Sequence, residues 1–556
     1  MTTAATLAPP ARRPAERPHT SPPWWMALVG AVAGFSGTGS ATLNGDELAT
    51  ISAASRSLSG MFELARHIDG HFLPYYLFMH FWAKAGTSEL WLRLPSAVAI
   101  GVAAWFLVDL GRRLHSTRAG VIAAGIFAIL PSVSYYGAFA RSYAFAAAAV
   151  VFSFWALHRA VERPGVVRRW VLYGVAVALV CSTHLFAVLV LPAQLLLLRR
   201  AVAVRMLAAL AVGCVPAAVL GLIGYGERHA ISWIPERGPE VWLKFPKMAS
   251  GATALGVVLF AMALAGAVVL WRTARRADQA SATDQASATE KASAAEKASA
   301  TEKASAAEKA SAAEKASAAE KASAADQASG VGRASGVDKA SGTEKAGGAD
   351  KVWAPVLAGW LVLPPVLLLA VSLLVTPAYV DRYLFVTAPA LALLAGLAVA
   401  GLPRFQGVAA VLVVAVGFGL AFSEHAEVRE ENGRFENIPW ALRVIKAEPE
   451  DAIVYGQSQL RAGFEYYADS LMPVDVLLAG SAPDPDGFGY PEGSDVSGAL
   501  EGRERVWVVW RGTKQAGLNN DSIARVGQVE QAGFELSVAK HSGDLPGLTV
   551  ALFTRR

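Results

Sequence analysis

Asn44-Gly45-Asp46-Glu47 follows directly on the first apolar run of the chain. Two adjacent carboxylates stand there where a membrane helix should end and a loop should begin. The apolar run, from about Trp24 to Ala41, opens on Trp24 and Trp25, aromatic residues of the kind that anchor at a membrane interface. Arg12, Arg13 and Arg17 precede it, which puts the N-terminus inside and Gly45 onward outside. Residues 1–23 are rich in Pro and Arg and lack a signal-peptide cleavage pattern, so a disordered cytoplasmic tail is expected there.

The 556 residues are 54% hydrophobic and 17% charged, with mean hydropathy +0.38. A soluble chain carries about 25% charged residues, and this one holds many apolar runs near the length a spanning helix needs. The sequence predicts a polytopic α-helical membrane protein. Its net charge of +5 comes from arginines at helix ends, a placement that speaks for topology control and not for nucleic acid. Cys181 and Cys214 both fall in apolar segments and read as buried, inert thiols.

Working outward, residues 42–91 are too polar to span and form the first extracytoplasmic loop. An amphipathic stretch places Leu48, Ile51, Leu58 and Phe62 near one face. The aromatic run from Phe72 to Trp82 is too short to cross a bilayer and fits a helix lying in the interface. Spans are expected at about 92–110, 119–136, 143–158, 170–182, 185–198, 206–225 and 249–271, completing a transmembrane module over 24–276. Alternate loops carry Arg112, Arg113 and Arg118, then Arg159, Arg163, Arg168 and Arg169, then Arg199, Arg200 and Arg205, then Arg272, Arg275 and Arg276. Their agreement with an inside N-terminus is the positive-inside pattern.

Residues 277–351 repeat units such as Glu-Lys-Ala-Ser-Ala-Ala and turn Gly-rich toward Asp350. Without large apolar side chains they cannot build a core, though Ala, Glu and Lys favour helix. A low-complexity cytoplasmic linker is expected. Spans at about 352–376, 384–402 and 408–422 bring the total to about eleven, on the length criterion for a bilayer. Residues 423–556 change character: the runs 452–455, 506–510 and 548–553 look like buried strands alternating with helix. They predict a small extracytoplasmic α/β domain, in which Pro483-Asp484-Pro485-Asp486-Gly487 reads as a solvated turn.

On this topology Asp46, Glu47, Asp69, His71, Arg141, Tyr143, His184, Asp381, Arg382 and Tyr383 gather at the outer ends of helices. Ionisable groups at membrane depth are costly and point to function. Asp46 or Glu47 suits a general base for an acceptor hydroxyl; equally, Asn44 or Asp46 could cap the helix that begins near Leu48. Arg141, at the outer rim, asks for an anion. A phosphate answers through paired hydrogen bonds, and so does an ion pair with Asp46, Glu47 or Asp69. Arg382 poses the same two answers. No phosphate-cradling Gly-rich loop, dinucleotide fingerprint or H-E-x-x-H is present.

Taken together, Asp46-Glu47, Asp69-Gly70-His71-Phe72-Leu73-Pro74-Tyr75-Tyr76, Trp91-Leu92-Arg93-Leu94-Pro95-Ser96, Ala140-Arg141-Ser142-Tyr143-Ala144 and Arg382-Tyr383 occur in an order that resembles the GT-C glycosyltransferases. The likeness is to family 39, the protein O-mannosyltransferase and aminoarabinose-transferase group. The usual His-Pro-Pro of that family is here His71-Phe72-Leu73-Pro74, and the repeat insert is foreign to it. The resemblance implies a GT-C membrane fold and a polyprenyl-phosphate-linked sugar donor. It implies inverting transfer to a lipid, glycan or protein acceptor at the extracytoplasmic face. Asp46 would be the base with Glu47 in support, and Arg141 and Arg382 would hold the donor phosphate. Asp69, His71, Tyr75, Tyr143, His184 and Tyr383 would line the pocket. Some relatives use a divalent metal ion; one acidic pair does not establish a site.

The main rival is a secondary transporter or lipid-linked sugar flippase. Transporters favour internal repeats and midplane charges, and here the charges gather at one face. A scaffold that merely displays its soluble domain is a third reading.

Overall fold

The computed structural model describes residues 21–227, 234–320, 352–431, 436–469, 471–480, 482–519, 523–543 and 546–556. Most of the expected N-terminal tail and the linker from 321 to 351 lie outside them. The chain divides into two compact units, Met1–Ala267 with Pro355–Arg556, and Val268–Ala354. The repeat begins within one long helix, Thr253–Glu320. Every side chain from 286 to 312 is exposed, so propensity rather than packing sets that conformation.

The larger unit opens with α1 (Trp25–Phe35), α2 (Gly45–Ser55), α3 (Leu58–His67), α4 (Leu73–Trp82) and α5 (Glu89–Leu114). There follow α6 (Thr117–Ala128), α7 (Pro131–Gly137), α8 (Tyr143–Glu162) and α9 (Val167–Thr183). α5 is the spine: α1, α6 and α8 all pack on it, and the helix of Ala388–Ala400 packs on α6. Close helix approach needs small residues. A Cβ on Gly120 would stand 2.2 Å from the Val108 carbonyl oxygen of α5.

Among the described residues, six helices are long and apolar enough to cross a membrane, or seven if α6 and α7, bent by 70°, form one span. That is fewer than the eleven expected. Four of the expected spans are helical but short: α1, α9, residues 185–197 and Gln406–Leu420. Pro192 sits where the third breaks into three-residue-turn and α segments, and Pro131 sits at the α6–α7 bend. Proline removes a backbone donor and clashes with the preceding turn, so hydropathy continues while the helix does not.

The C-terminal part forms a five-stranded mixed sheet in the order β2-β1-β3-β5-β4. Its strands are β1 (Ala452–Tyr455), β2 (Val474–Asp475), β3 (Arg505–Arg511), β4 (Phe534–His541) and β5 (Leu548–Arg555). β1 runs parallel to β2 and β3, and β5 is antiparallel to β3 and β4. Alternating residues face two cores. Val454, Val508, Trp510 and Phe553 point into one. Ile453, Tyr455, Trp507, Val509 and Val550 point into the other, where Ile438 and Phe464 meet Leu43 and Leu48. Burying those two leucines is worth about 1.5–3 kcal/mol each. The sheet's second core is therefore completed by the loop that carries the acidic pair.

Candidate active site

α2 starts with a capping box. The Asn44 side chain accepts from the Glu47 N–H at 3.1 Å, and Glu47 Oε2 accepts from the Asn44 N–H at 3.3 Å. Each satisfies a backbone donor the helix start would otherwise strand. Glu47 also receives Arg93 Nε at 2.8 Å, Arg93 Nη2 at 2.9 Å and the Ala140 N–H at 2.9 Å. Arg93 spends its remaining donors on the carbonyls of Thr38, Ala41 and Thr42. Neither side chain of this pair has any exposed surface. Glu47 thus ties α2 to α5 and to the segment before α8.

Asp46 points the other way. Its side chain is 31% exposed and lies 3.8 Å from Arg382 Nη1, which is 28% exposed. Both line a cavity of about 370 Å³ with Tyr135, Tyr136, Arg237 and Tyr379. Two carboxylates, Asp46 and Asp381, and two arginines on one small cavity can accept a proton and stabilise a developing anion.

Arg141 is almost fully buried. It donates to Asp69 Oδ2 at 3.1 Å and to the Tyr76 hydroxyl at 2.6 Å, and lies 4.1 Å from the Phe72 ring centre. Of the two answers open for Arg141, this structure holds the ion pair with Asp69. Burial alone would push the Asp69 carboxyl up; Arg141 beside it, with the Tyr76 hydrogen bond, holds it below the ordinary value of 3.8. Asp69 adopts φ 55°, a left-handed conformation that Asp and Asn tolerate better than most residues.

His71 Nδ1 lies 3.8 Å from Glu227, whose two carboxylate oxygens accept the Gly70 N–H at 3.0 Å. The ring of His184 stands 5.7 Å from Phe72, 5.3 Å from Tyr143 and 4.8 Å from Tyr383. These form a buried aromatic wall beside Arg141 and Arg382. Tyr75 does not join it: it is buried against Phe145, with ring centres 5.7 Å apart. The turn at Asp484 and Gly487 is not simply solvated, since Arg56 donates to both carbonyls, at 2.8 and 2.5 Å. Cys181 and Cys214 are free thiols. Among the described residues no three His, Cys, Asp or Glu side chains converge as a metal site needs.

Three residues of this region, Glu227, Arg237 and Glu436, carry no local sequence signal as site residues and read as ordinary loop charges. Arg93 lies in the Trp91–Ser96 motif, but nothing local marks its contact with Glu47. Glu436 is buried beside the start of α2, with Arg511 at 3.2 Å.

Residues 71–224 match the family model described as dolichyl-phosphate-mannose-protein mannosyltransferase. Among curated proteins no sequence matches the chain. Its structure is similar to the crystal structure of ArnT from Cupriavidus metallidurans in the apo state, at TM-score 0.50 and 12% identity, covering 95% of this chain and 97% of that one. It is equally similar to ArnT from Cupriavidus metallidurans bound to undecaprenyl phosphate, at TM-score 0.50 and 13% identity, covering 95% and 98%. At such identities the likeness speaks for the fold, and the mannosyltransferase segment lies within it. The chain is thus similar in fold to ArnT, and within that fold residues 71–224 match a mannosyltransferase family model.

Proposed function

We propose that the protein transfers a sugar from a polyprenyl-phosphate donor to an acceptor hydroxyl at the extracytoplasmic face, with inversion at the anomeric carbon. The observation that carries this reading is Asp46 beside Arg382, 3.8 Å apart, in one solvent-reached cavity. Asp46 takes the proton of the acceptor hydroxyl as its oxygen bonds to the anomeric carbon. The bond from that carbon to the phosphate oxygen breaks, through an oxocarbenium-like state. The departing phosphate gains charge, which Arg382 and Arg237 meet as preorganised cations. One displacement reverses the configuration.

A polyprenyl-phosphate sugar cannot leave the bilayer, so its headgroup must be met at the membrane rim. ArnT bound to undecaprenyl phosphate supports a donor of this class, as does the mannosyltransferase segment. The arginine-bearing alternate loops support the extracytoplasmic side.

The test incubates membranes holding the protein with a panel of radiolabelled polyprenyl-phosphate sugars and follows label into protein, lipid and glycan. Transfer by the wild type and its loss in Asp46→Asn are expected. Vectorial movement of the donor without a new glycosidic bond would overturn the proposal in favour of transport.

A further inference from the structure

Three carboxylates lie about the first turn of α2, each paired with its own arginine at a different distance. Glu47 is gripped by Arg93 at 2.8 and 2.9 Å, Glu436 pairs with Arg511 at 3.2 Å, and Asp46 stands 3.8 Å from Arg382. Glu47 comes from α2 itself. Glu436 comes from the segment that leads into the α/β domain, two residues before the helix Ile438–Val444.

Glu436 is only 4% exposed. The Gly45 N–H donates to its carboxylate, and a Cβ on Gly45 would lie 3.3 Å from both carboxylate oxygens. The backbone immediately before Asp46 is therefore pressed against this carboxylate. On the other side of Asn44, Thr42 Oγ1 donates to the Glu436 carbonyl at 3.0 Å, and the Thr42 N–H donates to the Glu431 carbonyl at 3.2 Å. The chain from Thr42 to Gly45, immediately before Asp46, is thus held at both ends by contacts with Glu431 and Glu436. Arg511, half exposed at the end of β3, ties Glu436 to the sheet.

We propose that Glu436 is a positioning residue whose carboxylate fixes the backbone at Gly45 and so aims Asp46 into the cavity it shares with Arg382. The α/β domain then belongs to the catalytic apparatus and is not an appended module. This inference rests on the reading of Asp46 as the base. A shift of about 1 Å in a reacting group can cost about a hundredfold in rate, so the effect falls on turnover and not on donor binding.

The experiment uses the full-length protein in lipid nanodiscs, with radiolabelled polyprenyl-phosphate mannose or whichever donor of the panel above labels product. Glu436→Ala is expected to lower kcat at least tenfold while the donor KM stays within about twofold. Glu436→Gln keeps an acceptor for the Gly45 N–H and is expected to recover to within about threefold of wild type. Gly45→Ala, whose Cβ would press on the Glu436 carboxylate and displace the same backbone while leaving Glu436 in place, should repeat the turnover loss; it serves as the second variant should Glu436→Ala fail to fold. Wild-type turnover in both alanine variants beside an inactive Asp46→Asn overturns the role of Glu436 alone. Equal defects in Ala and Gln that track loss of folded protein also overturn it. Sustained turnover by Asp46→Asn overturns the base assignment and this inference together.

Discussion

Glu47 and Arg93 meet through two hydrogen bonds, at 2.8 and 2.9 Å, with no surface of either side chain reaching solvent. A buried pair is costly to break from one side, because the remaining charge stays buried and unanswered. Glu47→Ala is expected to lose about 3–5 kcal/mol of stability and most of the folded yield in membranes. Thermal unfolding of the detergent-purified variant checks this, and a stable, inactive Glu47→Ala would instead make Glu47 a group that acts on substrate.

Asp46, one residue earlier, should behave in the opposite way. Its side chain is partly exposed and its contact with Arg382 is loose at 3.8 Å, so Asp46→Asn removes a proton acceptor without emptying a buried site. Folded yield and thermal midpoint should match wild type. Transfer should fall about 10²- to 10⁴-fold, the usual contribution of a general base. Initial rates with the labelled donor measure it.

This division of labour between neighbours marks the limit of what the sequence could tell. Asp46-Glu47 is visible as an acidic pair beyond an apolar run, and the order of motifs around Arg141 and Arg382 points to the fold. The runs 452–455, 506–510 and 548–553 are legible as strands because central strands are nearly continuous apolar runs; they became β1, β3 and β5. Which carboxylate of the pair stays open depends on Arg93, forty-six residues away, and no local pattern encodes that. The same holds for Arg237 and Glu436, loop charges whose roles come from tertiary contact alone. Arg141 answered to Asp69 rather than to an open cavity, a choice between two anions that composition leaves undecided. Hydropathy also registers apolar runs and is blind to where Pro131 and Pro192 interrupt the helix.

Arg382 is the partly exposed cation on the cavity, and Arg237 lines it too. Hydrogen bonds to a charged group contribute about 1.5–3 kcal/mol. Arg382→Gln is expected to raise the donor KM or lower kcat/KM about ten- to a hundredfold. Arg382→Lys should recover only part of that, since an ammonium cannot reproduce the planar fork that grips a phosphate. Donor titration of each variant decides; an unchanged kcat/KM in Arg382→Gln would remove Arg382 from the phosphate site.

The docking of the α/β domain can be tested at Gly463. A Cβ there would stand 1.9 Å from Ile438 Cδ1 and 2.9 Å from Leu48 Cδ1. Gly463→Ala should cost about 1–3 kcal/mol through overpacking. Ile438→Val deletes the clashing Cδ1, so the double variant should regain most of the loss. Thermal midpoints of the two single variants and the double variant supply the coupling, and simple additivity would contradict the packing described.

Asp69 provides a prediction in pH. Its folded carboxyl is held below the ordinary value of 3.8 by Arg141 and Tyr76, against the opposing effect of burial. A group depressed on folding contributes stability that is fully present above its unfolded value and is lost as pH falls through the folded one. Wild type should therefore be more stable than Asp69→Asn at pH 7, and the difference should shrink only once pH drops below about 4, the ordinary carboxylate range. Asn also tolerates the left-handed backbone at φ 55°, so the comparison isolates the charge. Thermal midpoints of both proteins from pH 7 to pH 3 measure the gap. A gap that widens on acidification would mean that Asp69 is protonated in the folded protein, and that Arg141 is free for a different anion.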